Sequence, residues 1–357
     1  MKRSKSSIAR RVSAEDRRLL RFLRTRREAL SPLLILTHDY PDPDSLASAF
    51  ALKAIAEDVG ITCRIGYGGV IGRTENRAMV KLLKIPVRPV RDKDFARWDH
   101  VALVDTQPAF SNNRFPHGRR ATIVVDQHRS VTPPDAELPI VNTRCGATSV
   151  IVANALLARR VAPPEPVATA LAYGILTDTL DFFRASHPVV VRTYLRLLPH
   201  CDLSKLARIQ NPRRSRRFFQ TIARGIRQAS VCGPLIVSHV GTVENPDLVS
   251  QTADFLLSYE NIAWSFATGR YNGRLYMSLR ASSEAAEAGE VLRDICGDRA
   301  NAGGHGSIAG GSFSVGRNTA ESGWRAEENA LLVRLLDRLR VGRRPIVFPF
   351  RGAEAGD

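Results

Sequence analysis

Groups able to bind a divalent cation recur at the ends of short apolar runs. Leu33-Leu34-Ile35-Leu36 runs into His38-Asp39-Tyr40-Pro41-Asp42-Pro43-Asp44, Val101-Ala102-Leu103-Val104 ends in Asp105, and Thr122-Ile123-Val124-Val125 ends in Asp126-Gln127-His128. A fourth polar group, Thr177-Asp178-Thr179, follows an apolar helical segment. Oxygen and imidazole ligands without thiolates suit Mn²⁺ or Mg²⁺ better than a cysteine-type zinc site. Two such ions a few ångströms apart could share a water, lower its pKa and clamp a phosphoryl group for in-line attack. His38, Asp42, Asp44, Asp105, His128 and Asp178 are therefore the candidate site of the first half. A single aspartate after a strand is ordinarily a cap or turn residue, so the repetition carries the reading. Pro41 and Pro43 keep the first cluster extended, because proline fixes φ and disfavours helix in the residue before it. In that extended stretch Asp42 and Asp44 could face different ions.

The second half offers a different chemistry. Asn301-Ala302-Gly303-Gly304-His305-Gly306 continues to Gly310-Gly311 and reads as a glycine-rich loop. Gly303 and Gly304 would let backbone N–H groups approach a phosphate closely. His305 stands beside them. Arg280, near the end of an apolar run, could fork onto a phosphate or carboxylate.

The elements that must position these groups alternate. Leu33–Leu36, Ile61–Tyr67, Val101–Asp105 and Thr122–Asp126 read as strands. Helices are expected from about Ser45, over Asn76–Leu83, Val150–Leu157 and Val167–Leu176. That order predicts an α/β domain with a mostly parallel sheet covered on both faces, its site at the strands' carboxyl ends. His187–Leu198, Leu203–Ile209 and Pro212–Arg227 read as helices of a connector. A smaller α+β domain follows, with strands at Pro234–Val240, Ile262–Thr268 and Leu275–Ala281, and a hairpin turn at Asn272-Gly273. Helices are expected at Leu248–Leu257, Glu290–Cys296 and Thr319–Val341. The expected division is 1–30, a basic helix; 31–190, the site-bearing domain; 191–230, a helical linker; 231–342, the α+β domain; and 343–357, a loose tail.

The chain has 357 residues, 44% hydrophobic and 24% charged, enough for two domains with real cores. Its net charge of +17 favours anionic partners. Residues 1–30 hold 11 Lys and Arg against 3 Asp and Glu. A helix over Glu15–Glu28 would bury Leu19, Phe22 and Leu23 and present its arginines to solvent. Five cysteines are scattered without a Cys-x-x-Cys pair, which argues against a structural zinc site or a disulfide framework. No apolar run reaches the length of a bilayer span, and the basic N-terminus lacks the apolar core of a secretory signal. Cytoplasmic localisation without a membrane partner is the expectation.

In order along the chain, these motifs resemble those of the DHH/DHHA1 phosphoesterases, of the oligoribonuclease and pAp-phosphatase type. His38-Asp-Tyr-Pro-Asp42-Pro-Asp44 is similar to the family's first motif, Val104-Asp105 to the second, and Val125-Asp126-Gln127-His128 to the name-giving Asp-His-His. Gly174-Ile-Leu-Thr177-Asp178-Thr179 resembles the fourth motif. Gly303-Gly304-His305 resembles the glycine-glycine-glycine-histidine signature of the DHHA1 domain.

The resemblance implies one ion on His38, Asp42 and Asp105 and a second on Asp44, Asp105 and Asp178, with Asp105 bridging. It implies that His128 contacts the scissile phosphate, and that Arg280, Gly304 and His305 hold the far end of a short RNA or nucleotide. Two Mn²⁺ or Mg²⁺ ions and a metal-activated water would hydrolyse oligoribonucleotides, linear dinucleotides or 3′-phosphoadenosine 5′-phosphate. A homodimer is compatible with this reading.

One position departs. Gln127 replaces the first histidine of Asp-His-His, a ligand of the second ion in the family, and an amide oxygen is a weaker ligand than imidazole. Two ions with altered preference, a weak second ion, or loss of catalysis with retained nucleotide binding would each follow. A nucleotide-binding regulator is thus one alternative, and a nucleic-acid-binding protein led by its basic N-terminus another.

Overall fold

The computed structural model describes residues 14–297, 301–342 and 344–351. Its contacts divide the chain into two units, Met1–Pro212 and Arg213–Asp357.

The first unit is built on a six-stranded, all-parallel sheet. Its strands are β1 (Leu33–Leu36), β2 (Cys63–Tyr67), β3 (Val87–Pro89), β4 (His100–Val104), β5 (Ala121–Asp126) and β6 (Ala136–Val141). They lie in the order β3-β2-β1-β4-β5-β6. The chain steps outward from β1 through β2 to β3, then returns to the other side of β1 with β4. The gap between β1 and β4 is therefore the switch point at which open α/β sheets hold ligands. β1 is apolar at every position and fully buried, as a central parallel strand requires.

Alternate residues of the central strands serve two cores. Leu33, Ile35, Ala102, Val104, Ile123 and Val125 pack with the helices. These are α1 (Ala14–Thr25), α2 (Pro43–Glu57), α3 (Thr74–Leu83), α4 (Thr148–Ala158), α5 (Glu165–Asp178), α6 (Val189–Leu197) and α7 (Leu203–Gln210). Leu34, Leu36, Val101, Leu103 and Val124 instead pack with Val90, Phe95 and Phe115. Both faces of the sheet are covered, as expected. The second face is covered by the 3₁₀ turn Asp92–Arg97 and the loop after β4, because the β4–β5 and β5–β6 connections carry no α-helix.

α2 begins two residues before the expected Ser45. Pro43 occupies its first turn, where the missing N–H costs nothing, and Asp42 caps it by accepting from the Ser45 N–H at 2.9 Å. α2, α4 and α5 pack on one another and are buried nearly all round. Their close approach depends on Gly174: a Cβ there would lie 2.5 Å from Ser149 Oγ and 3.1 Å from Asp44 Cα. α1 ends at Thr25, short of Glu28, with Leu19 and Leu23 buried and Arg17, Arg18, Arg21 and Arg24 exposed. Residues 1–13 lie outside the described residues. None of the five cysteines forms a disulfide.

The stretch expected to be one linker is shared between the units. α6 and α7 pack against α4, α5 and α3 in the first unit, whereas α8 (Arg216–Gln228) belongs to the second.

The second unit holds a seven-stranded sheet with β7 (Ser230–Cys232), β8 (Leu235–Thr242), β9 (Trp264–Tyr271), β10 (Arg274–Ala281), β11 (Asn301–His305), β12 (Ile308–Ser314) and β13 (Ile346–Val347). Their order is β11-β12-β10-β9-β8-β7-β13, and only the β8–β9 pair is parallel. Helices α9 (Asp247–Leu256), α10 (Ala288–Cys296) and α11 (Glu321–Arg338) complete it. The Asn272-Gly273 turn is as expected, both residues having positive φ of 49° and 76°. Two expectations are corrected. Asn301–Gly311 is a β-hairpin instead of a loop, with Gly303, Gly304, Gly310 and Gly311 in paired strands and Gly306 in the turn. The tail is not loose throughout, since Ile346 and Val347 pair with Cys232 and Val231. No described helix is long and apolar enough to cross a membrane.

Candidate metal centre

Register brings the polar clusters to one sheet edge. Leu36 pairs with Leu103, and Val104 with Val125, so His38, Asp105 and Gln127-His128 leave the sheet at the same end. α2 begins at that edge and supplies Asp42 and Asp44.

His38 Nδ1 lies 2.8 Å from the Asp39 carbonyl oxygen. A carbonyl only accepts, so in the neutral ring Nδ1 carries the hydrogen and Nε2 keeps a lone pair for a ligand. Nε2 is 3.5 Å from Asp42 Oδ1 and 3.6 Å from Asp105 Oδ2. These three atoms could hold one ion. Burial opposes a charge on His38, but Asp42 outweighs it and raises the pKa to about 9. Desolvation likewise opposes ionisation of Asp42, yet His38 and the Ser45 N–H hold its carboxyl well below the usual range.

Asp105 sits just past β4 with φ of 57°, a left-handed conformation uncommon for a residue with a side chain. It is buried. Its Oδ1 accepts from Thr148 Oγ1 at 2.8 Å, leaving Oδ2 facing His38. Burial, together with Asp44, Asp42, Asp178 and Asp126, pushes its pKa far up.

Asp44 is fully buried, and both its oxygens are engaged. One accepts from the Thr148 N–H and the other from the Ser149 N–H, each at 2.7 Å. It therefore anchors the first turn of α4, where an anion is favoured. Burial and the neighbouring Asp42 raise it to about 7 against these N–H donors.

Asp178 ends α5. Its pKa is raised by burial, Asp44 and Asp42, with Arg184 opposing. Gln127 Nε2 lies 3.1 Å from Asp178 Oδ2 and 3.2 Å from His128 Nε2. His128 Nδ1 in turn lies 2.8 Å from Asp126 Oδ1. Burial lowers the His128 pKa, but the hydrogen bond and charge of Asp126 raise it overall.

Several of these residues have no counterpart among the expected ligands. Asp126 is fully buried and orients His128. Gln107 donates to Asp126 Oδ2 at 2.7 Å and to the His128 carbonyl at 3.0 Å. Thr148 touches three participants, donating to Asp44 and Asp105 and accepting from the Gln127 N–H at 3.2 Å. Asp126 was visible as a strand-end acid. Gln107 and Thr148 carry no sequence signal beyond their neighbourhood, since neither is a metal-ligand type.

The electrostatics ask for a cation. Asp42, Asp44, Asp105, Asp126 and Asp178 influence one another, and burial raises the pKa of three of them. A divalent ion relieves such repulsion at the point where the His38, Asp42 and Asp105 donor atoms converge.

In the second unit, Arg280 is buried, with 5% of its surface exposed. Its guanidinium pairs with Asp254 of α9 and donates Nη1 to the carbonyls of Leu279 and Ala309, both at 3.0 Å. Gly303 and Gly304 pair with Gly310 and Ala309 across the hairpin. Gly304 has a packing reason to be glycine: a Cβ would meet the Ile308 carbonyl oxygen at 2.2 Å. The backbone of His305 pairs with Ile308, and its side chain lies outside what is described.

Residues 32–175 match the DHH family, N-terminal domain. The chain is 33% identical over 301 residues to an uncharacterized protein of Methanocaldococcus jannaschii, covering 84% of this chain. It spans 62% of that relative's length. An exopolyphosphatase-related protein from Bacteroides fragilis has a similar fold, with a TM-score of 0.69 at 17% identity, covering 91% of this chain and 98% of that one.

Proposed function

We propose that this chain, whose residues 32–175 form a DHH family N-terminal domain, is a metal-dependent phosphoesterase acting on short RNA or nucleotides. The observation that carries the reading is the convergence of Asp42 Oδ1 and Asp105 Oδ2, each within 3.6 Å of His38 Nε2, at the switch point of a parallel sheet. Mn²⁺ is the ion proposed, with Mg²⁺ compatible with the same oxygen-rich donors. When bound, it would polarise a phosphoryl oxygen and lower the pKa of a water.

The chain's own residues divide the remaining work. The Asp39 carbonyl holds the His38 ring in a ligating orientation. Thr148 holds one oxygen of Asp105, so the other is directed to His38. Asp126 anchors His128, whose side chain is 33% exposed and can reach a bound phosphate. With Nδ1 engaged by Asp126, a protonated His128 would offer its Nε2–H to the phosphate or to the leaving oxygen in place of its contact with Gln127. Oligoribonucleotides, linear dinucleotides and 3′-phosphoadenosine 5′-phosphate are the proposed substrates.

A second reading is a nucleotide-binding regulator. The observation favouring it is Gln127, whose amide lies against Asp178. Incubating the protein with di- to pentanucleotides and 3′-phosphoadenosine 5′-phosphate in Mn²⁺, with Asp105→Ala as control, separates the two. Turnover above the control supports the phosphoesterase. Nucleotide binding with no such turnover supports the regulator and sinks the enzyme.

A further inference from the structure

From the contacts of Gln127 we infer that this centre holds a single ion, the side-chain amide of Gln127 standing where a second would be. The inference rests on the metal-dependent reading above and concerns how many ions that site takes.

The amide's orientation follows from its partners. The Gln127 atom 3.1 Å from Asp178 Oδ2 is the NH₂ nitrogen, which donates to that oxygen. Its second hydrogen reaches His128 Nε2 at 3.2 Å. That ring nitrogen accepts when Nδ1 donates to Asp126, 2.8 Å away. Gln127 thus presents two donors to the site, whereas a metal ligand must present a lone pair. Turning the amide over to offer its oxygen would set that oxygen against the Asp178 carboxylate.

The other members of the second ligand set are held by hydrogen bonds. Asp44 is fully buried and accepts from the Thr148 N–H with one oxygen and from the Ser149 N–H with the other, each at 2.7 Å. Asp105 Oδ1 accepts from the Thr148 hydroxyl, and its Oδ2 faces His38. Among the described residues, the groupings with donor atoms close enough to share an ion are His38–Asp42–Asp105 and Asp105–Asp126–His128. Neither includes Asp44 or Asp178. The second grouping is internally satisfied, since Asp126 accepts from Gln107 and from His128. A neutral amide therefore does part of a cation's work: its N–H groups meet the Asp178 carboxylate and position His128.

The test is ion stoichiometry. Metal-stripped protein is dialysed to equilibrium against Mn²⁺, the bound metal is measured by mass spectrometry, and the Mn²⁺ spin-resonance spectrum is recorded. One ion per chain with an uncoupled six-line spectrum is expected. Two ions per chain with an exchange-coupled spectrum would overturn the inference while leaving the metal-dependent reading intact. No bound ion would overturn both. Gln127→His, checked for folding by circular dichroism, is expected to raise the count to two. If it stays at one, the amide is not what excludes the second ion and its assigned role fails. His38→Ala is expected to abolish binding in the wild-type background, and retention of the ion there would place it elsewhere and overturn the assignment.

Discussion

Thr148 Oγ1 donates to Asp105 Oδ1 at 2.8 Å, tying the first turn of α4 to the strained residue just past β4. The hydroxyl sets which carboxylate oxygen of Asp105 faces His38. Hydrogen-bond partners that orient a metal ligand typically carry about 10–100-fold in metal affinity. Thr148→Val should weaken Mn²⁺ binding by about that factor, read by calorimetric titration, and Thr148→Ser should restore it. Equal affinity in all three proteins would show that the hydroxyl does not position Asp105.

Asp126 hydrogen-bonds the His128 ring at 2.8 Å. Asp126→Asn removes the charge that raises the His128 pKa. Turnover should fall about 100-fold, within the range of a mispositioned acid or base, with KM changed little. The His128 titration, followed by NMR, should move to lower pH. An unmoved titration would mean that Asp126 does not hold the ring.

Gly174 sets the spacing between α5 and the pair α2 and α4. In Gly174→Ala the new methyl would stand 3.1 Å from Asp44 Cα and 2.5 Å from Ser149 Oγ. Overpacking of this kind costs about 1–3 kcal/mol, so the urea midpoint should drop. Adding Ser149→Ala should recover part of the loss by removing the nearest atom. A single variant as stable as the parent would show that α5 shifts freely.

The metal-free protein should lose stability as pH rises. Asp44 ionises near 3.8 when unexposed to the fold and near 7 within it, so its contribution is complete below about 4 and is lost as pH climbs through 7. His38 moves from 6.5 to about 9, so its contribution is complete below 6.5 and is lost as pH climbs through 9. Both act in the same direction. The melting temperature of stripped protein should fall between pH 5 and pH 9, and added Mn²⁺ should restore it most at the alkaline end. A melting temperature that is flat or rises over that range, without metal, would contradict the carboxylate repulsion described for the site.

Much of the first unit was legible along the chain. Leu33–Leu36 and Ile123–Val125 are apolar at every position, and only a buried parallel strand satisfies such runs beside short helices. Asn272-Gly273 announced its hairpin through two residues that accept positive φ. β3 and β6 were missed because Val87–Pro89 and Ala136–Val141 carry prolines and exposed positions that hide a strand signal. The glycines of Asn301–Gly311 suggested a loop, although neighbouring strands can pair through backbone regardless of side chain.

The candidate ligands His38, Asp42, Asp105 and Asp178 were readable for a similar reason: residue type and position at the end of an apolar run are local properties. What each does with its atoms is not local. Arg280 and Asp254 are 26 positions apart, and Asp44 and Thr148 are 104 apart, so no spacing rule foretells that each polar group already has a partner. The sequence by itself determined which groups could bind a cation and which strands deliver them to one edge. Only the tertiary structure decided which partner each group meets, because hydrogen bonding depends on distances across the fold. Asp44 accepts from the first turn of α4 and Asp178 from Gln127, while His38, Asp42 and one oxygen of Asp105 converge.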